Sequence, residues 1–404
     1  MFLFDIFIYL LFAYIMFLFS SSSFYKNEEN KGVLDKYLWG FVAFFTIISA
    51  IRWGVGVDSI SYATCFMSGA TDHEIAGQIN EKELLNKFFI HLIHDLGLHF
   101  SIGLGLYAFF QIFFLTKALE KYKYILLYMP FILFGSVYYQ NLMNGVRQMI
   151  VACGFVWASR FIVERKPLHY FLFICIGYFM HTSTLILLPL YFIPFSFALQ
   201  QKRNLLLCIY TLCFILGNSP QFGNIVSYVE GLTKLIGYEN YADNAVKFLS
   251  GDYAEEVRSL GPMQLSYLLT GYFIIWFGPK LDITYAKQIP YFNLWFLFAY
   301  LYGCFYFLFC NVSHIFIRPV LYLCLFQMIL CSLLLYDFCC NLKNKFYYYS
   351  RALFVCVIWT STVWSIYKSL NYTPVGKREY VTYKVFFMND SEVKKIKSNF
   401  VYYE

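Results

Sequence analysis

The sequence predicts an all-α, polytopic integral membrane protein with eleven or twelve spanning helices and two long extracytoplasmic loops. Three observations carry that prediction. Hydrophobic residues make up 60% of the 404 and charged residues only 14%, whereas a soluble domain is about half apolar and about a quarter charged. Apolar runs of about 20 residues, long enough to cross a bilayer as a helix, recur along the chain. The 47 phenylalanines and 37 tyrosines gather at the ends of many of those runs, as interfacial belts do.

The candidate spans are 2–20, 37–54, 100–119, 124–140, 146–164, 169–195, 204–219, 263–279, 290–310, 319–338 and 350–367. The first lacks the basic n-region of a cleaved signal peptide, and its lysines (Lys26, Lys31, Lys36) follow it, so it reads as an uncleaved helix with its N-terminus outside. The run 169–195 carries His181-Thr182-Ser183-Thr184 in its middle and meets Pro189 and Pro194. It reads either as one tilted helix or as two broken halves. The basic loops at 26–36, 117–123, 165–166, 202–203, 280–287 and 343–345 are assigned to the cytoplasm. That assignment is self-consistent only if 169–195 crosses twice or dips back, and it leaves the lysine-rich stretch 377–397 outside, against the usual bias. Residues 1–367 read as a single membrane domain and 368–404 as a polar tail.

Two loops are too long to be mere connectors. Residues 55–99 carry Asp58, Asp72, Glu74, Glu81 and Glu83; residues 220–261 carry Glu230, Glu239, Asp243, Asp252, Glu255 and Glu256. Both are placed outside. Within the first, Leu84, Leu85, Phe88, Phe89, Leu92 and Leu96 recur at helical spacing and predict a short helix lying on the membrane. His91, His94 and His99 fall on or beside it without the i, i+4 spacing of a metal pair.

The net charge of +7 is accounted for by short basic loops and calls for no nucleic-acid partner. Of the twelve cysteines, Cys153, Cys175, Cys208, Cys213, Cys304, Cys324, Cys331 and Cys356 lie in predicted spans, Cys339 and Cys340 are adjacent, and no CxxC pair occurs. They read as small packing residues, not as a metal or redox site.

Polar groups stand out against this background. Arg52 and Asp58 bracket the outer end of the second span, with Gly54 and Gly56 between them and Tyr62 four residues on. An arginine at the edge of a span costs roughly 2–3 kcal/mol unless a partner or a wet cavity receives it. It is either a snorkelling anchor or part of a site. Asn144, Arg147 and Gln148 are spaced i, i+3, i+4 at the start of the fifth span, where free N–H groups favour an anion. They form either an interfacial cap or a phosphate site. His181, deep in an apolar run, is either hydrogen-bonded structure or a base. Arg318-Pro319 opens the tenth span, just after Asn311 and His314. No GxSxG elbow, P-loop or DxD-like cluster occurs, which points to a phosphate carried by a lipid and not by a nucleotide.

The order Arg-x-x-x-Gly-x-Asp-x-x-x-Tyr (Arg52, Gly56, Asp58, Tyr62), then Glu83 and Gly97, then Asn-x-x-Arg-Gln (Asn144, Arg147, Gln148), then His181 to Thr184 resembles the EpsG-like family of bacterial polysaccharide repeat-unit polymerases. That family is related in role to the Wzy-type O-antigen and exopolysaccharide polymerases. The resemblance is concentrated in 45–195, with Arg318 comparable beyond it. It implies a multi-pass protein of the bacterial inner membrane. It also implies a metal-independent glycosyltransferase without a cofactor, which moves a glycan from undecaprenyl diphosphate onto another lipid-linked repeat unit. A chain-length regulator and a flippase are the implied partners. Arg147 and Arg52 would hold the leaving diphosphate, with Arg318 assisting. Asp58, Glu83 and His181 compete for the base, and Tyr62, Asn144 and Gln148 would hydrogen-bond sugar or phosphate. The rival readings are an O-antigen ligase using the same donor, a lipid-linked oligosaccharide flippase or other transporter, and a polytopic acyltransferase.

Overall fold

The computed structural model describes residues 2–26, 34–56, 58–75, 82–195, 197–219, 261–311, 314–371 and 381–388. Among these residues every regular element is a helix, and the one β pairing is an isolated bridge between Arg52 and Val385. The protein is an all-α, polytopic membrane protein. The chain divides into two compact units, Met1–Ile193 with Trp359–Glu404, and Pro194–Ile358.

The first unit contains, in order, α1 (Phe2–Lys26), α2 (Lys36–Ala50), α3 (Ser59–Ser68), α4 (Asp72–Ile75), α5 (Leu84–Asp95), α6 (Phe100–Leu119), α7 (Lys123–Gly135), α8 (Tyr138–Asn144), α9 (Val146–Val163), α10 (Pro167–Met180) and a 3-10 helix, Thr182–Phe192. Helix α1 packs on α7 and α2, while α6 packs on α2 and α9. Helix α9 is buried on nearly every side, from Val146 to Ile162, so a polar residue on it has protein around it and not lipid.

Asp35 shows how a few polar groups fix this bundle. Its carboxylate caps α2 by accepting from the N–H groups of Tyr37 and Leu38. It also accepts from Ser23 at the end of α1 and from Lys123 at the start of α7, at 2.8 Å. Burial raises its pKa, but the bonds from Lys123 and Ser23 outweigh burial and hold it below the usual carboxylate value. The stability this supplies is present at neutral pH and is lost as pH falls through the lowered value. Lys123→Ala leaves the carboxylate buried and unpaired, a change that costs about 3–5 kcal/mol. Thermal unfolding in detergent should show a large loss at pH 7, and an unchanged midpoint would contradict the role.

Among the described residues, six helices are individually long and apolar enough to cross a membrane: Phe2–Lys26, Phe100–Leu119, Val146–Val163, Phe292–Phe309, Phe316–Cys340 and Lys345–Asn371. A seventh results if α7 and α8, bent by 73° at Gly135-Ser136-Val137, form one span. Among the other expected spans, 263–279 lies within the 24-residue helix Pro262–Tyr285, whereas Lys36–Ala50 and Pro167–Met180 are shorter apolar helices. The expected eleven or twelve thus include these two shorter segments. They stop where the sequence breaks the helix, at the Gly54-Gly56 corner and at His181.

Of the two long loops, 220–260 lies outside the described residues. The described residues of the other form α3, α4 and α5. Leu84, Phe88, Leu92 and Leu96 are exposed along α5, while Ile90 and Ile93 turn inward. This leaves the apolar ridge expected of a helix resting on a bilayer. Gly97 ends α5 with φ +62, and the N–H groups of Gly97 and Leu98 reach back to His94 and Ile93, the usual task of a glycine in a helix C-cap.

Residues 381–388 lie across the end of α2. Trp53 N–H donates to Lys384 O at 2.8 Å and Phe386 N–H to Ile51 O at 3.0 Å. The Tyr9 and Tyr383 hydroxyls donate to Val381 O and Ile48 O, each at 2.6 Å. Part of the tail is thus built into the first unit.

In the second unit, Phe292–Phe309 packs against Arg203–Gly217 and Cys324–Cys340. Buried Asp337 pairs with Lys280 and accepts from the Tyr285 hydroxyl. All twelve cysteines are free. Cys153, Cys304, Cys324 and Cys331 are buried among apolar side chains, whereas Cys175, Cys208 and Cys356 face outward.

Candidate functional site

The site grows from a broken helix. Helix α10 ends at Met180, and His181 takes an extended conformation (φ −155, ψ 120) before the chain resumes as a 3-10 helix. Hydroxyl side chains compete with the helical ladder, and Thr184 does so here by donating to His181 O at 2.6 Å. Pro189 removes a further donor inside the 3-10 segment. Eleven residues is long for a 3-10 helix, where runs above about four are uncommon and often mark functional positions.

The break frees two groups to meet one carboxylate. Glu83, buried just before α5, accepts from His181 Nδ1 at 2.8 Å and from Thr182 N–H at 3.2 Å, both at Oε1. Its Oε2 accepts from Arg147 Nη1. Arg147 is the second residue of α9 and mostly buried, and its Nη2 donates to Asp72 Oδ2 at 2.7 Å. The Tyr62 ring lies 5.8 Å from the guanidinium carbon, within the range of a cation–π contact.

Burial raises the Glu83 pKa, but the His181 bond, the Arg147 charge and the Thr182 N–H outweigh it, so the carboxyl sits below its ordinary value. Glu83 is therefore an anion at neutral pH. An ionised carboxylate only accepts, so His181 Nδ1 must carry the hydrogen. In neutral His181 that leaves Nε2 with a lone pair, the form a general base needs. Burial also raises the Tyr62 pKa against the pull of Arg147, which keeps its hydroxyl a donor.

The Arg52–Asp58 corner is built differently from what its sequence suggests. Arg52 is 1% exposed, which excludes a snorkelling anchor, since an anchor keeps its head in water. The guanidinium donates to Ser49 O, and its Nε and Nη2 are buried without a hydrogen-bond partner. Among the described residues Arg52 makes no ion pair. It lies instead within electrostatic reach of Tyr139, Tyr383 and Tyr62.

Asp58 precedes α3, and its N–H donates to Asn144 Oδ1 at 3.1 Å. Gly56, with φ +91, approaches so closely that a Cβ there would sit 2.7 Å from Met143 O. The corner is therefore docked on the α8–α9 junction. Asn144 ends α8, and Gly145 separates it from α9, so Asn144 positions the corner and does not share a helical face with Arg147. Gln148 is buried in the first turn of α9. Gln111 on α6 fastens the same junction by donating to Leu142 O and Val146 O.

Arg147, Glu83, His181 and Tyr62 are thus brought together, and Asp58 and Asn144 meet beside them. Arg318 is exposed in the second unit. Asp72 is the site residue that the sequence alone does not single out, since there it is one of several acids in a loop. His99 caps α6 by accepting from Ser101 N–H.

Asp72 is part-exposed, with a side chain 36% accessible, so it is the partner Arg147 can most easily release. If it only competes for Nη2, Asp72→Asn should lower the KM for a phosphate-bearing donor about two- to fivefold, the worth of an exposed ion pair. Turnover slowed by about two orders of magnitude or more, the worth of a general base, would instead place Asp72 in the chemistry.

No curated protein and no solved structure matches this chain. The EpsG family description matches residues 36–385, a stretch that contains every site residue above. On that match, with its multi-pass helical architecture, the chain belongs to the EpsG family.

Proposed function

We propose that the protein polymerises lipid-linked oligosaccharide repeat units on the outer face of the bacterial inner membrane. The acceptor sugar hydroxyl attacks the anomeric carbon of the donor glycan. The new carbon–oxygen bond forms as the bond to undecaprenyl diphosphate breaks, and the hydroxyl proton passes to His181 Nε2. Family membership supports a polysaccharide polymerase. The observation that carries the mechanism is Glu83, one carboxylate joined to His181 through Oε1 and to Arg147 through Oε2.

The geometry supports the following division of roles. Glu83 orients the imidazole and fixes its tautomer, as a carboxylate does for a catalytic histidine. Arg147 stabilises the departing diphosphate, where preorganised charge contributes most. A phosphate oxygen replaces Asp72 at Nη2, a fork suited to bidentate anions. Arg52 adds positive charge from the corner, within electrostatic reach of Tyr62. Tyr62, Asn144 and Gln148 hold phosphate or sugar directly or by shaping the corner, and Asp58 lies near the acceptor.

The test is direct. Purified protein given one lipid-linked repeat unit should produce a ladder of products, unchanged by chelator. Transfer of single units to a lipid A core without a ladder would favour the ligase reading. A ladder abolished by chelator and restored by a divalent ion would overturn the metal-independent mechanism.

A further inference from the structure

An apolar cavity of about 380 Å³ runs between α5, α6, α9 and α10, within the first unit. One end is formed by the immediate neighbours of the site. Val151 lies one turn below Arg147 on the same face of α9, Met180 directly precedes His181, and Leu85 follows Glu83 by two residues. The other end reaches Phe161 and His169. From Ile150 to Phe161 the wall is about 16 Å long at 1.5 Å per residue.

The lining is almost entirely carbon and largely aromatic, from Phe110, Phe114, Trp157 and Phe173. At its lip, Leu172 and Ile176 on α10 are more than half exposed. A second apolar hollow of about 380 Å³ continues outward past Leu84, Phe88 and Phe179. Leu172 and Ile176 thus present carbon to the surroundings at the mouth of the cavity, the chemistry that a lipid-facing opening requires.

We propose that this groove seats the isoprenoid chain of a polyprenyl diphosphate, with its phosphates at Arg147 and its first isoprene units along α9 and α10. The proposal rests on the lipid-diphosphate reading of the site. It adds where the lipid lies and how it arrives. The occupant must join an apolar chain to an anion, because the groove is apolar along its length and ends one turn from a guanidinium. Of the molecules in the proposed reaction, the polyprenyl diphosphate has that form at every stage, as donor and as released product. A tail held there approaches from the bilayer without crossing water. The anomeric carbon is then brought up to His181.

The experiment uses the full chain in phosphatidylglycerol nanodiscs with farnesyl diphosphate bearing a benzophenone on its terminal isoprene. Crosslinks should map to 150–161 and 169–180. Unlabelled geranylgeranyl diphosphate should suppress them about tenfold or more, and added phosphatidylglycerol should not. Leu172→Trp and Ile176→Trp, both at exposed positions, narrow the lip and should reduce labelling about tenfold with unchanged thermal midpoints. Crosslinks elsewhere, or equal competition by phosphatidylglycerol, would overturn the groove as a prenyl site. The two readings fail separately. Groove labelling without any ladder from repeat units would support the groove and remove the polymerase. A normal ladder at unchanged KM in both tryptophan variants would remove the groove and leave the polymerase.

Discussion

Arg147→Ala should abolish polymer. Removing one preorganised donor to a developing anion costs about 10²–10³ in rate, and here the same change also strips Glu83 of its cation. Breaking a buried ion pair by deleting one member destabilises by about 3–5 kcal/mol, so the membrane-inserted amount must be measured alongside polymer. Arg147→Lys separates the two effects. It keeps the charge beside Glu83 but loses the planar fork that reaches Glu83 and Asp72 at once. The lysine variant should insert normally and still lose most polymer. Full activity in it would remove the fork from the mechanism.

His181→Ala should slow turnover by about 10²–10⁴, the range of a general base, with little change in KM for the lipid-linked donor. Glu83→Gln should slow turnover as well, because a neutral amide no longer demands the hydrogen on Nδ1 and no longer neutralises Arg147. The pH dependence has a definite sign. The Glu83 pKa is lowered in the folded protein, so its contribution is present at neutral pH and lost only as pH falls through that lowered value. Loss of function through Glu83 therefore begins below about pH 4.3, the ordinary glutamate value. An activity that fell with protonation of a glutamate near neutral pH would contradict an anionic Glu83.

Much of this was legible in the sequence because it is local. A break in 169–195 was one of two readings left open by three hydroxyl residues and two prolines within fourteen positions, and the α5 ridge follows from its apolar spacing. What was illegible is long-range. Glu83 meets Arg147 across 64 residues and His181 across 98, while Asp72 meets Arg147 across 75. Nothing in the spacing of one acidic loop says which of its carboxylates turns inward. Glu83 was therefore singled out only through the family pattern, and Asp72 was not singled out at all. Arg52 shows the same limit. Its sequence left it either an anchor or part of a site, and what excludes the anchor is burial beside 381–388, a stretch of tail whose return to α2 no local pattern reveals.

Whether one carboxylate joins the base to the cation is decided by a double-mutant cycle on turnover in the ladder assay. Residues acting as a unit are strongly non-additive. If Glu83 works mainly by orienting His181, the double variant Glu83→Gln with His181→Ala should be slower than His181→Ala alone by much less than the single Glu83→Gln effect, the remainder being the lost contact with Arg147. Rate losses that multiply, so that the double variant falls by the product of the two single effects, would show independent actions and contradict the account.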